Sequence, residues 1–359
     1  MNREDYSYFA EDTLVYTSKG NKYIKDIEVG DYVLTNSGIF HPVLEIDKYD
    51  TNKVCKLRSY GSYNITTTDS ALFPTKSKAI KDRYVPAEDI TASELEVGQF
   101  LCSLTPKESN LNQEINKEIL DLFSSENSFY DFISLFLFKG AIVNNIFKNG
   151  KTQKKILIYS SRTEENKIKE ILDNTGIKYR VLYPKHSNTL TIIIQNIKLF
   201  NYLISNFGEK KINFHFNEDL VLLNGHSKKM LFYKIQKMFD QYDKETDVYI
   251  FNFHNPKILY DMKQLFMENL EYPIKINLKK SSESNVHGKK FLKKDLFLLK
   301  YKNNFSKYDH AIKEQNTYWQ PIRSIKDYEY ENPITVYSLH VDIDNSFVVN
   351  SILTKNKVL

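Results

Sequence analysis

Short runs of alternating apolar and polar residues occur near both ends of the chain. The N-terminal stretch begins with Thr13–Thr17, and Ser18–Asn21 supply the turn that follows. Alternation with a period of two predicts half-buried β-strands, and turn residues between such runs predict hairpins. Further strands are predicted over Tyr32–Leu34, Phe40–Ile46, Lys53–Leu57 and Tyr63–Thr67. Strands spaced by roughly ten residues predict an all-β domain.

The last part of the chain continues this pattern. Thr335–Val341, Ser346–Val349 and Ile352–Thr354 are predicted strands. The segment is too short to bury a core of its own, and pairing with the N-terminal strands would give it one. We therefore predict one all-β domain made of residues 1–107 and 313–359, split by an insertion at 108–312.

The insertion shows helical and strand patterns in two passes of the same order. The first pass has a predicted helix within Phe132–Val143 and a strand at Lys155–Tyr159. The second pass has a predicted helix over Lys229–Tyr242 and a strand at Val248–Phe253. Two passes of roughly a hundred residues each predict an α+β domain of two pseudo-repeats.

Composition narrows the class of protein. The 359 residues are 41% hydrophobic and 26% charged, as in a globular chain of two or three domains. Cys55 and Cys102 are the only cysteines, which argues against a disulfide scaffold or a cysteine metal cluster. No apolar run approaches the ~18 residues of a membrane span, and the N-terminus lacks a signal-peptide core. We expect an intracellular protein (cytoplasmic, nuclear or viral) that has no membrane partner.

Charge is distributed unevenly along the chain. Residues 108–310 contain 32 lysines and arginines against 23 acidic residues, a net charge of +9. The whole chain carries +5, so the flanking parts carry −4. A basic insertion favours contact with a polyanion, although a lysine-rich solvated surface has the same composition. Charge alone leaves both interpretations open.

Four blocks of sequence resemble those of inteins, the self-splicing proteins of the HINT fold. The blocks are Phe9–Gly20, Ile24–Leu34, Thr68–Thr75 and Leu339–Asn356. The resemblance implies a HINT domain whose two parts flank the insertion. It also implies a nucleophile near the first block, a proton donor in the third, and a cyclising asparagine at the end.

Several residues at these implied positions are unsuited to the chemistry. Counting five residues back from Thr13 places Tyr8 at the cysteine or serine nucleophile, and a phenol with a pKa of about 10 attacks acyl groups poorly. The third block keeps Thr68 but has Ala71 at the histidine, and alanine cannot move a proton.

At the C-terminal end, Asn356 is retained. Lys355 replaces the assisting histidine, and Lys357 replaces the acceptor cysteine, serine or threonine. We expect the chain to lack splicing activity. Since it begins at Met1 and ends three residues after Asn356, we also expect a free-standing gene product.

The insertion resembles LAGLIDADG homing endonucleases. The resemblance implies two signature helices, each ending in an acidic residue that binds divalent metal. Lys139 occupies the first such position, before Gly140, and Tyr242 aligns with the second. Asp240 and Asp243 are alternative carboxylates in nearby registers. We expect no metal site, no cofactor and no nuclease activity; Mg²⁺ is expected only if displaced carboxylates keep the enzyme active.

A cluster of lysines lies around the predicted connection Ser281–Gly288. Its members are Lys279, Lys280, Lys289, Lys290, Lys293 and Lys294. In the endonuclease family such loops contact phosphates, but a solvated loop is equally consistent with the sequence.

Three hypotheses about function follow. The leading one is a degenerate intein-like protein retained to bind double-stranded DNA or another nucleic acid. A second is a structural subunit of a larger assembly that docks an acidic protein partner. The third is an active site-specific endonuclease.

Overall fold

The computed structural model describes most of the chain in two compact units. Unit 1 comprises residues 1–110 and 241–359, and unit 2 comprises residues 111–240. The described ranges are 6–77, 86–108, 111–146, 152–209, 214–238, 242–243, 245–271, 274–281, 283–286, 289–292, 295–302 and 312–357.

The regular elements are numbered in chain order. The strands are β1 (Phe9–Ala10), β2 (Leu14–Thr17), β3 (Gly20–Tyr23), β4 (Tyr32–Leu34), β5 (Phe40–Ser59), β6 (Ile65–Thr67), β7 (Leu72–Lys76), β8 (Glu88–Thr91), β9 (Phe100–Leu104), β10 (Gly140–Ile146), β11 (Thr152–Ser161), β12 (Tyr179–Leu182), β13 (Thr189–Ile194), β14 (Tyr242–Asp243), β15 (Val248–Phe253), β16 (Lys275–Lys279), β17 (Glu283–Val286), β18 (Lys289–Leu292), β19 (Leu296–Lys302), β20 (Ile312–Glu314), β21 (Thr317–Val341), β22 (Ser346–Val349) and β23 (Ile352–Lys355). The helices are α1 (Lys117–Leu120), α2 (Glu126–Lys139), α3 (Glu165–Thr175), α4 (Ile197–Phe207), α5 (Glu218–Val221), α6 (Gly225–Met238) and α7 (Pro256–Leu270).

Unit 1 is built on one large antiparallel sheet that contains strands from both chain ends. Its order is β1-β6-β5-β4-β2-β22-β23-β7-β9-β21-β20. Phe9 pairs with Tyr337, and Val15 pairs with Val349. The predicted pairing of the C-terminal strands with the N-terminal ones is confirmed.

Strands β5 and β21 also pair with each other and form a long ribbon. They pair from Ile322 opposite Ser59 to Val341 opposite Val43, with register shifts on the way. One face of the sheet buries a core that contains Phe9, Phe73 and Phe347. Burial of these side chains drives the two chain ends together.

A turn occurs twice in unit 1, and the sequence pattern alone did not identify the repeat. Val29-Gly30-Asp31 and Val97-Gly98-Gln99 each follow a short 3-10 turn. Gly30 and Gly98 have φ of 92° and 95°, a left-handed conformation that favours glycine. Each glycine N–H then donates to a strand: Gly30 to Val43 O and Gly98 to Ile322 O.

Helix α7 and the small sheet β14-β15-β19-β16 also belong to unit 1. Polar side chains of α7 hydrogen-bond the backbone of the large sheet and its loops. Asp261 accepts from Asn21 N at 2.9 Å, and buried Lys263 donates to Gly61 O at 2.5 Å. The sequence analysis placed these residues in the 108–312 insertion, whereas the compact units divide near residues 110 and 240. The contacts of α7 are the reason for this difference.

Unit 2 packs helices on one four-stranded sheet, ordered β10-β11-β13-β12. A capping box of Ser125 and Ser128 starts α2. The helix ends at Lys139, the position implied by the resemblance, and Gly140 begins β10. Helix α6 packs against α2, with Lys234 Nζ 2.8 Å from a carboxylate oxygen of Asp131. Tyr242 lies beyond α6, on β14, instead of ending the predicted helix.

Candidate functional site

The two ends of the chain meet at Ser7 and Asn356 in unit 1. Ser7 N donates to Asn356 Oδ1 at 2.9 Å, and Ser7 Oγ donates to Lys355 O at 2.5 Å. Leu72 N donates to Ser7 Oγ at 2.8 Å. Ser7 and Asn356 are both buried. The Ser7 hydroxyl is therefore held from two sides. We call Tyr6–Tyr8 with Lys355 and Asn356 the junction.

The carbonyl groups on either side of Ser7 are bound by the turn after β6. Ser70 Oγ donates to Tyr6 O at 3.3 Å. Thr67 Oγ1 donates to Tyr8 O at 2.7 Å, and Thr68 N donates to the same oxygen at 3.0 Å. Residues 67–70 thus place one hydroxyl on the Tyr6 carbonyl and two donors on the Tyr8 carbonyl.

Asn356 is fixed by β21 and by the turn before β22. Its Nδ2 donates to Leu339 O at 2.9 Å, and its N donates to Asn345 O at 3.0 Å. Ser338 Oγ donates to Asn356 Oδ1 at 3.4 Å. The sequence analysis did not single out Ser338 or Asn345. Both become neighbours of Asn356 only through the pairing of β21, β22 and β23.

Tyr8, which the sequence analysis placed at the nucleophile, lies next to this arrangement but takes no part in it through its side chain. Its hydroxyl donates to Asp47 Oδ2 at 2.6 Å. Its buried ring packs edge-on against Tyr49, with centroids 4.7 Å apart. Ser7 Oγ is the side-chain atom that reaches Lys355. Ser7 lies six positions before Thr13, one more than the five positions counted to select Tyr8.

The third block shows the same one-residue difference. Ala71 is fully buried in the hydrophobic core with Phe73, so its side chain is not at the junction. Ser70 is the residue whose hydroxyl contacts Tyr6 O, and Thr68 Oγ1 lies 3.2 Å from Ser70 Oγ. Ser7 and Ser70 are the residues that sequence reasoning missed. Their small hydroxyl side chains beside the selected positions were the available signal.

The remaining predicted positions lie around Asn356. Lys355 Nζ lies 3.2 Å from Asp89 Oδ1, so the Lys355 side chain forms an ion pair with Asp89. Lys357 is exposed. The ring of His340 lies 4.4 Å from the ring of Tyr6, and its buried Nε2 has no hydrogen-bond partner among the residues described. In the described part of the chain, Ser7 and Ser70 form no hydrogen bond with a histidine.

The end of α2 in unit 2 has a different polar arrangement. Lys139 Nζ donates to both carboxylate oxygens of Glu164, at 2.8 and 2.9 Å. Ser160 and Ser161 also donate to this carboxylate. The hydrogen bond from Lys139, aided by both serines, lowers the pKa of Glu164 to about 2. The acidic group near this helix end is thus neutralised by a lysine.

The second predicted endonuclease position has its own local contacts. Tyr242 Oη donates to Asp247 at 2.8 Å, and this hydrogen bond raises the pKa of Tyr242. The Asp243 carboxylate accepts from Thr246 Oγ1 at 2.6 Å and from Glu245 N, which lowers its pKa. Asp240 lies outside the described residues. Over the described ranges, no three His, Cys, Asp or Glu side chains are arranged to hold a metal ion.

The structure describes the predicted lysine cluster only in part. Lys279 and Lys280 are exposed at the end of β16. Lys289 and Lys290 lie on β18, and Lys293 and Lys294 are outside the described residues. No helix in the described ranges is both long and apolar enough to span a membrane.

No family model matches the sequence, and no curated protein matches it. Among solved structures the chain is similar to inteins and to a homing endonuclease. The gp41-1 intein is 27% identical, with 27% of this chain and 68% of that chain covered and a TM-score of 0.23. A variant of the Ssp DnaB mini-intein is 9% identical, with 98% and 99% covered and a TM-score of 0.32. A mesophilic variant of the homing endonuclease I-DmoI is 13% identical, with 49% of this chain and 83% of that chain covered and a TM-score of 0.33. Because these TM-scores lie below 0.5, we base the proposed function on the contacts of the junction.

Proposed function

We propose that this chain is an intein-like protein that keeps the arrangement of a splicing junction but cannot join flanking segments. The hydrogen bond from Ser7 N to Asn356 Oδ1 supports this most directly, because it joins the first and last implied reacting residues. Ser7 takes the nucleophile position in this proposal, and Ser70 takes the position of the missing histidine.

The first chemical step would be attack of Ser7 Oγ on the carbonyl carbon of Tyr6. The hydroxyl must lose its proton, and the Ser7 nitrogen must gain one as the C–N bond breaks. The hydroxyl proton points to Lys355 O, an amide carbonyl that is too weak a base. The Ser7 N–H donates to Asn356 Oδ1, an amide oxygen that supplies no proton. Ser70 offers one neutral donor to Tyr6 O, which stabilises a developing oxyanion only in part.

The last step would be attack of Asn356 Nδ2 on its own carbonyl carbon. This attack forms a succinimide, breaks the peptide bond to Lys357, and moves a proton from Nδ2 to the departing Lys357 nitrogen. Nδ2 is held by Leu339 O, and the neighbouring Lys355 is paired with Asp89 instead of assisting. Joining of segments would also require a hydroxyl or thiol after Asn356, and Lys357 has neither. The chain can therefore complete no splicing reaction.

Intact mass after incubation with a thiol or hydroxylamine tests this proposal. We expect the mass of the whole chain to remain. Loss of residues 1–6 would show that Ser7 still performs the acyl shift. Loss of Lys357–Leu359 would show that Asn356 still cyclises. Either loss would contradict the proposed inactivity.

A second candidate function is binding of nucleic acid without cleavage. It is favoured by the net charge of +9 over residues 108–310 and by exposed Lys279 and Lys280. The ion pair of Lys139 with Glu164 argues against metal binding at the end of α2. We expect duplex affinity to fall with salt by a log–log slope of about −0.9 per phosphate contacted.

Two measurements test this second function. Joint substitution of Lys289, Lys290, Lys293 and Lys294 by alanine should flatten the salt dependence, and Mg²⁺ should produce no nicks in plasmid DNA. Nicking would instead favour an active endonuclease that uses Asp240 or Asp243. Absence of binding to duplex DNA, single-stranded DNA and RNA at low salt would favour a docking surface for an acidic protein partner in a larger assembly.

A further inference from the structure

Four large apolar side chains of unit 1 are exposed to solvent. The exposed fraction is 64% for Val29, 51% for Tyr32, 57% for Leu44 and 76% for Ile343. We call these four residues the apolar patch. Single apolar side chains are normal on a protein surface, whereas a contiguous group of them marks an interaction site. The strand pairing of unit 1 shows that the four are neighbours.

Two members of the apolar patch share one face of β4 and β5. Tyr32 is paired directly opposite Pro42, so the two side chains lie on the same face of the sheet. Leu44 follows Pro42 by two positions and therefore lies on that face as well. The glycine of the turn before β4 donates its N–H to Val43 O at 2.8 Å, which holds Val29 beside the same stretch of β5.

The turn after β21 places Ile343 on the other side of β5. Asp342 N donates to Pro42 O at 3.1 Å, and Ile343 is the next residue. Tyr32 and Asp342 thus flank Pro42 from opposite sides and lie about two strand spacings apart, roughly 10 Å. The apolar patch is therefore one contiguous surface across three strands.

Folding alone does not account for the isoleucine at position 343. Its φ is 72°, in the left-handed region that strains a β-branched residue. Its side chain remains in water, so burial does not offset this strain. Glycine or asparagine would adopt the same φ with less strain. A strained and exposed apolar residue indicates contact with another molecule.

The charges around the apolar patch favour a cationic partner. Glu28, Glu45 and Asp342 are exposed acids, and each is the chain neighbour of a patch residue. Lys22 Nζ lies 2.6 Å from Asp31, so these two charges neutralise each other. Two copies of this chain that met through the same patch would bring acidic groups together, which disfavours self-association.

The backbone beneath the apolar patch is already paired. In the described sheet, β5 has β4 on one side of Pro42 and the turn after β21 on the other, so an added strand finds no open edge there. A partner must therefore bind through side chains, and an amphipathic helix presents an apolar stripe bordered by polar residues. We propose that the apolar patch binds an amphipathic helix of a protein partner whose apolar stripe is bordered by lysine or arginine.

Fluorescence anisotropy on the full chain tests this surface, with a labelled leucine/lysine amphipathic helix of about 18 residues as the probe. We expect the probe to bind more tightly than a leucine/glutamate helix of the same design or a scrambled leucine/lysine peptide. Ile343→Asn should weaken binding by at least about tenfold, because it removes an apolar side chain that the complex buries. The same variant should unfold at the same temperature as the parent or at a higher one, since it relieves strain.

The repeated turn of unit 1 supplies a matched pair of variants. Val29 and Val97 each precede the glycine of one copy of this turn, and Val97 is 52% exposed. The turn that contains Val97 is bound to Ile322 O instead of Val43 O, away from the apolar patch. Val29→Asn should weaken binding of the probe, and Val97→Asn should bind it like the parent.

Joint substitution of Glu28 and Glu45 by glutamine and of Asp342 by asparagine should weaken binding of the probe and reduce its salt dependence. The proposal fails if the leucine/lysine helix does not bind, or if it binds the Ile343→Asn and Val29→Asn variants like the parent. Equal binding of the leucine/glutamate helix would also contradict it. A parent dimer in sedimentation equilibrium that Ile343→Asn abolishes would show that a second copy covers the patch instead.

Discussion

The junction in unit 1 and the end of α2 in unit 2 differ in what they retain. At the junction, Ser7 and Asn356 are buried and joined by a hydrogen bond of 2.9 Å. At the end of α2, Lys139 forms an ion pair with Glu164. Under the proposed function, the junction keeps the arrangement of its reacting groups, and the Ser70 hydroxyl lies where a histidine would donate a proton. At the helix end, the positive charge of Lys139 would repel a metal cation.

Under the proposed function, this contrast describes two physical routes by which a reactive site loses its activity. Removing a proton donor leaves the hydrogen-bonded frame intact, because hydroxyl and amide groups still satisfy one another in a buried place. Inverting a charge rebuilds the local electrostatics, because the new lysine must find a counter-ion. The first route should be reversible by few substitutions, and the second should not.

The largest expected effect concerns which residues unit 1, the part that contains the junction, needs in order to fold. Replacing 111–240 by a flexible linker should leave unit 1 folded, whereas replacing 110–312 should unfold it. The longer deletion removes buried Asp261, Lys263 and Gln264 of α7, which hydrogen-bond Asn21 N, Gly61 O and Leu104 O. Each buried partner left unsatisfied costs about 1–3 kcal/mol, and a domain has only about 5–15 kcal/mol in total.

Circular dichroism and thermal unfolding of both deletion variants provide the measurement. A cooperative transition in the 110–312 deletion would mean that α7 is dispensable. The junction would then belong to a β domain with the boundaries predicted from sequence.

The next effect concerns whether substitutions can restore cleavage at the junction. Ser7→Cys with Ser70→His should introduce cleavage between residues 6 and 7. The cysteine would supply a thiolate nucleophile in place of the Ser7 hydroxyl, and the histidine would supply a proton donor in place of the Ser70 hydroxyl. A positioned proton donor contributes about 10²- to 10⁴-fold in rate. Mass spectrometry after addition of a thiol would detect the loss of residues 1–6.

The matched control is Tyr8→Cys with Ala71→His, the same substitutions one residue later. This pair should give no cleavage and a less stable protein, since Tyr8 and Ala71 are fully buried. Cleavage in the control, with none in the first pair, would show that Tyr8 and Ala71 occupy the nucleophile and histidine positions, as counting from Thr13 predicts.

A smaller effect is expected from Lys263, which attaches α7 to unit 1. Burial lowers the pKa of Lys263 from 10.5 to about 7. Between these values the unfolded chain holds a proton that the folded chain does not. Stability due to this group is therefore full above about pH 10.5, falls by roughly 1.4 kcal/mol per pH unit as the pH is lowered, and levels off below about pH 7.

Urea unfolding of the parent and of Lys263→Met at pH 7, 8 and 9 isolates this term. The difference in unfolding free energy between the two proteins should change in favour of the parent as the pH rises. A difference that stays constant would mean that Lys263 is protonated at all three values.

The smallest effect concerns the ion pair of Lys139. Its partner Glu164 is 43% exposed at the side chain, so solvent screens the pair. Lys139→Gln should lower stability by less than about 1 kcal/mol at neutral pH. Because the pKa of Glu164 is lowered to about 2, the contribution is present above about pH 4.5 and is lost as the pH falls through 2. A loss above 3 kcal/mol, of the order seen for a broken buried pair, would show that solvent does not screen this ion pair.

The sequence predicts much of the fold because β-alternation is a local signal. Strand β15 at Val248–Phe253 lies where the pattern placed it, and the C-terminal strands pair as predicted. At the junction, the predicted positions Tyr8 and Ala71 each lie one residue after the residues whose hydroxyls make the contacts, Ser7 and Ser70. Counting to Tyr8 instead of Ser7 selects a buried ring in place of the hydroxyl that contacts Lys355 O.

The position of α7 could not be predicted from its sequence. Asp261, Lys263 and Gln264 have the polar side chains of a solvated helix face, yet all three are buried. Each contacts a group brought close by distant pairing: Asn21, Gly61 and Leu104 O. A helix pattern contains no information about such partners.

The ribbon of β5 and β21 has a consequence for synthesis of the chain. Ser59 pairs with Ile322, so the ribosome adds roughly 260 residues between these partners, which takes on the order of tens of seconds at about 5–20 residues per second. During that time the edge of β5 that receives β21 is open to other strands. Unit 2 draws on one continuous segment, 111–240. It is complete in the nascent chain while β5 still lacks its partner.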